Sequence, residues 1–208
     1  MIYALIIFIS LISILLMFYF LKCKALIEIS FLIYLIGIGA LYELIFTIYF
    51  KLNSEIWFKI YPFLEFIALL YFFRKLIGLS QSVFYIIIGI YSVLFIYMYY
   101  LYHFKVSSTA LELFIPITHC LLVFTGSTKW TIQQFEKLET SSLLHFPVFY
   151  ILSGMILYYS GTFFIFGLET IFRYTKSPTL LYFWYINLLL LFIYRLSFYI
   201  AIWKAKKV

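Results

Sequence analysis

The chain contains no aspartate; its eight acidic residues are glutamates placed singly along 208 residues. That absence removes every aspartate-based metal or diphosphate motif. Two cysteines, Cys23 and Cys120, are too few and too far apart for a disulfide framework or a C-x-x-C metal site. Eight glycines and four prolines supply no P-loop and no Gly-rich dinucleotide turn, and no H-E-x-x-H occurs. The histidines His103, His119 and His145 lie far apart in sequence. Ser153, the one serine considered as a nucleophile beside a histidine, sits in a stripe of small residues, where a packing role is the simpler reading. Every lysine falls at the end of an apolar run, which excludes a retinal Schiff base inside a span. No catalytic residue, metal site or cofactor is expected, and the chain leans away from being an enzyme.

What fills the chain instead is apolar. Residues of that kind make up 66%, aromatics 25% and charged residues 11%, against about 25% charged in soluble domains. Apolar runs of ~20 residues predict an all-α, polytopic integral membrane protein rather than a β-barrel. Seven transmembrane helices are expected, near Ile2–Leu21, Ala25–Phe50, Ile56–Phe73, Val83–Tyr102, Thr109–Thr125, Phe146–Phe172 and Thr179–Trp203. They form one domain over 1–208, with 126–145 as a cytoplasmic connecting segment. The first run has no basic residue before it and no small-residue cleavage site, so it reads as a span and not a signal peptide.

The formal charge of +7 follows the membrane. Lys22, Lys24, Arg74, Lys75, Lys129, Lys137, Lys204, Lys206 and Lys207 fall on one side; Lys51, Lys59, Lys105, Arg173 and Lys176 fall on the other. The excess belongs in the cytoplasm, which puts the N-terminus outside and the C-terminus inside. The expected location is the cell inner membrane, crossed several times, with the lipid bilayer as first partner. No clustered basic face exists for nucleic acid. In the connecting segment Trp130, Ile132, Phe135 and Leu138 recur near helical spacing. The fifth helix is thus expected to project past the bilayer, as an interfacial helix with Trp130 at headgroup level or as a docking surface for a cytoplasmic partner.

A charge near the bilayer centre costs about 2.5–3.5 kcal/mol, so ionisable residues within spans face the bundle interior and find partners. The candidates are Glu43, Glu65, Glu112, His119, Asn187 and Arg195. Glu112, Pro116 and His119 are spaced to share a helix face. Glu65 and Arg195 fall within a few ångströms in depth, at ~1.5 Å rise per residue. The carboxylates outnumber the arginine, and the excess calls for protonation, a charged His119, water or a bound cation. Two readings stand: Glu65 and Arg195 as a fixed interhelical pair, or the group as a polar cavity in the outer half of the bundle. Pro62 is read as opening the third span and Pro116 as kinking the fifth. Ser153–Gly154 and Ser160–Gly161 form a small-residue stripe suited to close helix packing.

Two resemblances accompany these residues. "LYELIF" (Leu41–Phe46) echoes "GLETIF" (Gly167–Phe172), and "LLYFFRKL" (Leu69–Leu76) echoes "LLLFIYRL" (Leu189–Leu196). The order resembles the parallel three-plus-one-plus-three helices of SWEET-type and PQ-loop transporters, although the Pro-Gln motif is missing. The segments around Glu43, Glu65 and Arg195, with "FPVFYILSGMILYYSGTFFIF", resemble uncharacterised small seven-helix membrane proteins of AT-rich Gram-negative bacteria, often encoded near sensor histidine kinases. That resemblance implies a non-enzymatic membrane sensor or signalling accessory with a membrane or cytoplasmic signalling partner. A small secondary transporter and a structural subunit of a membrane complex are the alternatives. The charge bias makes a direct prediction. In intact cells Lys105→Cys and Lys176→Cys should react with an impermeant thiol reagent and Lys22→Cys should not; the reverse pattern inverts the topology.

Overall fold

The computed structural model describes residues 2–23, 27–51, 55–104, 110–137, 143–173 and 180–206. Lys24, Lys105, Lys176 and Lys207 of the charge bias, the span limits Ala25, Thr109 and Thr179, and Leu138 of the connecting segment lie outside them. Among the described residues there are seven α-helices and no strand: α1 (Ile2–Cys23), α2 (Ser30–Tyr42), α3 (Glu55–Ile77), α4 (Gln81–His103), α5 (Ala110–Lys137), α6 (Pro147–Arg173) and α7 (Leu180–Ala205). A 3₁₀ turn at Ile27–Ile29 leads into α2, and a π-helical stretch, Glu43–Tyr49, prolongs it.

Five helices, α1, α4, α5, α6 and α7, are long and apolar enough to cross a membrane; α2 is shorter, an apolar helix over Ser30–Phe46. Helix α3 is long, 23 residues, but carries Lys59, Glu65, Arg74 and Lys75. The outward surface agrees with a lipid-facing protein. Along α4, Ile86, Ile90, Val93 and Ile96 are each more than half exposed, an apolar face that water would penalise.

The helices pack as a ring in the order α1, α2, α3, α5, α6, α7, closed by α7 against α1. Helix α4 stands outside it, against α3 and α5. Helix α3 is deeply enclosed along part of its length: Ala68, Leu69, Leu70, Phe72 and Phe73 are buried, while Ile67, Tyr71 and Arg74 keep a partly open face. Helix α4 is attached through stacked aromatics, with Tyr91 on Phe66 (centroids 3.6 Å, 12°) and on Phe114 (5.7 Å, 16°). The α3–α4 turn follows from its residues. Gly78 takes φ +67°, Leu79 N–H donates to Arg74 O at 3.1 Å, and Ser80 Oγ accepts from Val83 N–H, a glycine-terminated helix end followed by a serine cap.

Helices α6 and α7 share the most extensive interface, and the small stripe of α6 is why. A Cβ on Gly154 would collide with Ser197, and one on Gly161 with Leu190. Two expectations are corrected. Pro62 lies inside α3, two turns past its start, rather than opening it. Helix α5 runs unbroken to Lys137, in line with the helical spacing of the connecting segment, but Trp130, expected at headgroup level, is buried against Phe146 (6.3 Å, 84°). Its ring faces the protein core because α6 turns back over this end of α5.

Gly126 of α5 meets the Phe73 ring of α3, where a Cβ would lie 2.7 Å from Phe73 Cγ. Gly126→Leu should therefore destabilise the chain by about 1–3 kcal/mol through overpacking. Helix propensity alone would favour the change by up to about 1 kcal/mol. A lowered unfolding temperature in detergent is expected, and an unchanged or raised one would show that Phe73 yields freely.

Candidate functional site

Within the ring lies a half-enclosed cavity of about 150 Å³. Its wall is assembled from five helices: Ile9, Ser10 and Ser13 of α1; Ile36, Gly39 and Ala40 of α2, with Glu43 of the π-helical stretch; Trp57, Tyr61 and Glu65 of α3; Tyr158 of α6; and Leu191 and Arg195 of α7. Small residues make the room. Ser10, Ser13, Gly39 and Ala40 line α1 and α2 where larger side chains would fill the space, and Gly39 admits the Tyr61 ring, whose Cε2 would lie 2.6 Å from a Cβ placed there.

Glu43 opens the π-helical stretch, which ends with Phe50 N–H donating to Ile45 O at 3.0 Å across five residues. Such widened turns recur at functional sites. Ser10 Oγ donates to Glu43 Oε2 at 3.3 Å, tying α1 to this turn. Beside it Tyr42 stacks on Trp57 (4.5 Å, 22°) and Trp57 packs on Tyr61 (5.7 Å), an aromatic wall across α2 and α3.

Glu65 is buried and serves two neighbourhoods at once. One edge faces the cavity. On the other, Tyr159 Oη donates to Glu65 Oε1 at 2.9 Å, and His119 Nε2 stands 4.0 Å from Oε2. The His119 ring is held between two backbone carbonyls, Nδ1 at 2.7 Å from Ile115 O and Nε2 at 3.2 Å from Pro62 O. A neutral imidazole has one N–H and can donate to only one of them; an imidazolium serves both and lies beside the carboxylate. Phe66 meets the ring edge-on (5.6 Å) and Tyr159 stacks beside it (5.8 Å).

Arg195 is equally buried and has less to hold it. Its guanidinium lies 5.0 Å from the Tyr194 ring centroid, and Nε and Nη1 have no hydrogen-bond partner. Among the described residues no carboxylate comes within 4.0 Å of it. The fixed Glu65–Arg195 pair is thus replaced by a different arrangement: both line one cavity, and Glu65 takes its hydrogen bond from Tyr159. Of the six candidate residues, Glu43, Glu65 and Arg195 line the cavity and His119 stands behind Glu65. Asn187 is elsewhere, accepting from Thr162 Oγ1 at 3.2 Å and bordering a separate small pocket with Trp184. Glu112 is half-buried near the start of α5 and is not among the lining residues.

Ser10, Tyr61, Tyr158 and Tyr159 belong to this site and carried no mark in the sequence, where tyrosine alone occurs 21 times. Among the described residues no cluster of His, Cys or Glu is suited to a metal ion. Comparison with protein-family models, curated proteins and solved structures finds no match for the chain.

The geometry ranks the couplings. In double-mutant cycles on the detergent-solubilised chain, Tyr159→Phe with Glu65→Gln should show an interaction of about 0.5–3 kcal/mol, typical of residues in contact. Arg195→Gln with Glu65→Gln should show a smaller one. Rescue of Glu65→Gln by Arg195→Gln would restore the direct pair.

Proposed function

We propose that this chain is a non-enzymatic membrane sensor or signalling accessory whose input site is the cavity around Glu43, Glu65 and Arg195. The observation that carries the reading is Arg195. A guanidinium enclosed in a helical bundle with unpartnered Nε and Nη1 is strongly unfavourable, and the same side chain borders the cavity, where the charge of an entering group would compensate it. The π-helical stretch bearing Glu43 supplies an element able to reset by one residue when the cavity fills. The seven helices are read as seven crossings of a bacterial inner membrane, N-terminus outside and C-terminus in the cytoplasm. The helical extension Gly126–Lys137, with Ile132 and Phe135 exposed, is the proposed output surface toward a signalling partner.

A transporter is the second reading, favoured by one observation: α4 lies outside a ring made of α1–α3 and α5–α7, as a linker between two three-helix halves would. One pair of measurements decides. Filling the cavity with Ala40→Phe should shift the distance distribution between spin labels at Leu21→Cys and Phe135→Cys, measured by pulsed dipolar spectroscopy in lipid nanodiscs with Cys23 and Cys120 replaced by serine. An unmoved distribution defeats the sensor reading. Solute flux in proteoliposomes that disappears with Glu65→Gln would instead establish transport.

A further inference from the structure

The cavity's charges do not close on themselves. Glu65 takes a hydrogen bond from the Tyr159 hydroxyl behind it, and its charge is balanced there when His119 is the imidazolium that donates to both carbonyls. That leaves Glu43 and Arg195, of opposite sign, lining the same cavity without an ion pair between them. Glu43 accepts one hydrogen bond from Ser10 at 3.3 Å, and Arg195 Nε and Nη1 have none. We propose that the cavity binds a small zwitterion, its anionic group on Arg195 and its ammonium group on Glu43. This rests on reading the cavity as a ligand site.

Charge counting selects the zwitterion. A lone anion on Arg195 would bring a second negative charge toward Glu43, inside a wall of low polarity where such repulsion is strong. A lone cation on Glu43 would leave Arg195 unpartnered and add positive charge beside it. A neutral solute satisfies neither charge. A zwitterion brings in no net charge and gives both groups a charge-assisted hydrogen bond. Trp57 also lines the cavity, its ring stacked on Tyr42 beside Glu43. Size narrows the class further. A volume of about 150 Å³ has room for roughly five waters at ~30 Å³ each, the scale of a small amino acid and not of a peptide or nucleotide. The same charge pair occurs in free amino acids and in ethanolamine phospholipid headgroups.

The test uses the full chain in phosphatidylglycerol nanodiscs, with Ala40→Cys placed in the cavity wall and Cys23 and Cys120 replaced by serine. The readout is the rate at which a small polar methanethiosulfonate reagent modifies the cavity cysteine. Glycine, alanine or glycerophosphoethanolamine should slow modification about tenfold once present at ~10 times the dissociation constant. Acetate and methylamine, each carrying one of the two charges, should not. Slowing without any added solute in discs that contain phosphatidylethanolamine assigns the zwitterion to the lipid headgroup. Protection should disappear in Glu43→Gln and in Arg195→Gln, with folding checked by circular dichroism. Acetate protecting as well as glycine would make this an anion site and overturn the proposal, as would a labelled cysteine that nothing in the panel protects. A cysteine that never reacts would overturn the cavity itself as a ligand site, and with it the sensor reading.

Discussion

A carboxylate carried into the middle of an apolar bundle has to be met there by donors, and the arrangement of three helices follows from how Glu65 is met. Tyr159 reaches it from α6 and His119 approaches it from α5, while Glu65 itself belongs to α3. The partners are 94 and 54 residues away in sequence, so the contact fixes helices that chain connectivity leaves free. His119 is in turn positioned by carbonyls on both sides, Ile115 on its own helix and Pro62 on α3. The network thus locks depth as well as rotation. Sliding α5 by one residue, ~1.5 Å along its axis, would carry His119 away from both Pro62 O and Glu65 on α3 while leaving its Ile115 contact unchanged.

Around that fixed point the bundle is closed tightly on one side and loosely on the other. Between α6 and α7, Gly154 and Gly161 allow Ser197 and Leu190 to approach the backbone, and the Tyr158 and Tyr194 rings lie parallel at 5.0 Å. On the cavity side Ser10, Ser13 and Ala40 of α1 and α2 leave room, while Gly39 takes the Tyr61 ring and Gly37 meets Met17. Close packing is the rule in protein interiors, and a polar void is kept only where water or another guest occupies it. Arg195 lies on the boundary between the two regions. Its neighbour Tyr194 is locked in the tight one, while the guanidinium borders the open one.

Much of this was legible in the residues. Run length and composition give helices and their approximate limits, because in lipid the backbone must satisfy itself within each helix. The rarity of charge makes Glu43, Glu65, His119 and Arg195 stand out as a group. Other features left no trace. The segment "ELIFTIY" has nothing to distinguish a π-helical turn from an ordinary one. Tyr159 and Ser10 are partners by virtue of tertiary geometry alone, and in a chain where a quarter of residues are aromatic no single tyrosine signals its role. The continuation of α5 was legible in the helical spacing of Trp130, Ile132 and Phe135, but the burial of Trp130 against Phe146 was not, because it depends on where the chain returns ahead of α6.

The topology of the ring also constrains what its two halves can do. In chain order, α1–α3 and α5–α7 occupy equivalent places, with α3 meeting α5 and α7 meeting α1. Their side chains do not follow that symmetry. All three helices of the first half line the cavity, whereas the second half contributes Tyr158, Leu191 and Arg195 from α6 and α7, with α5 reaching Glu65 only from behind. A site whose two halves trade places during transport gains from matched linings. A site that must report occupancy from one half to the other gains from unlike ones, with acids on one side and the base on the other. The charges here are divided in the second way, Glu43 and Glu65 on α1–α3's half and Arg195 opposite. A ligand bridging them, as proposed above, would draw the two halves together across the cavity.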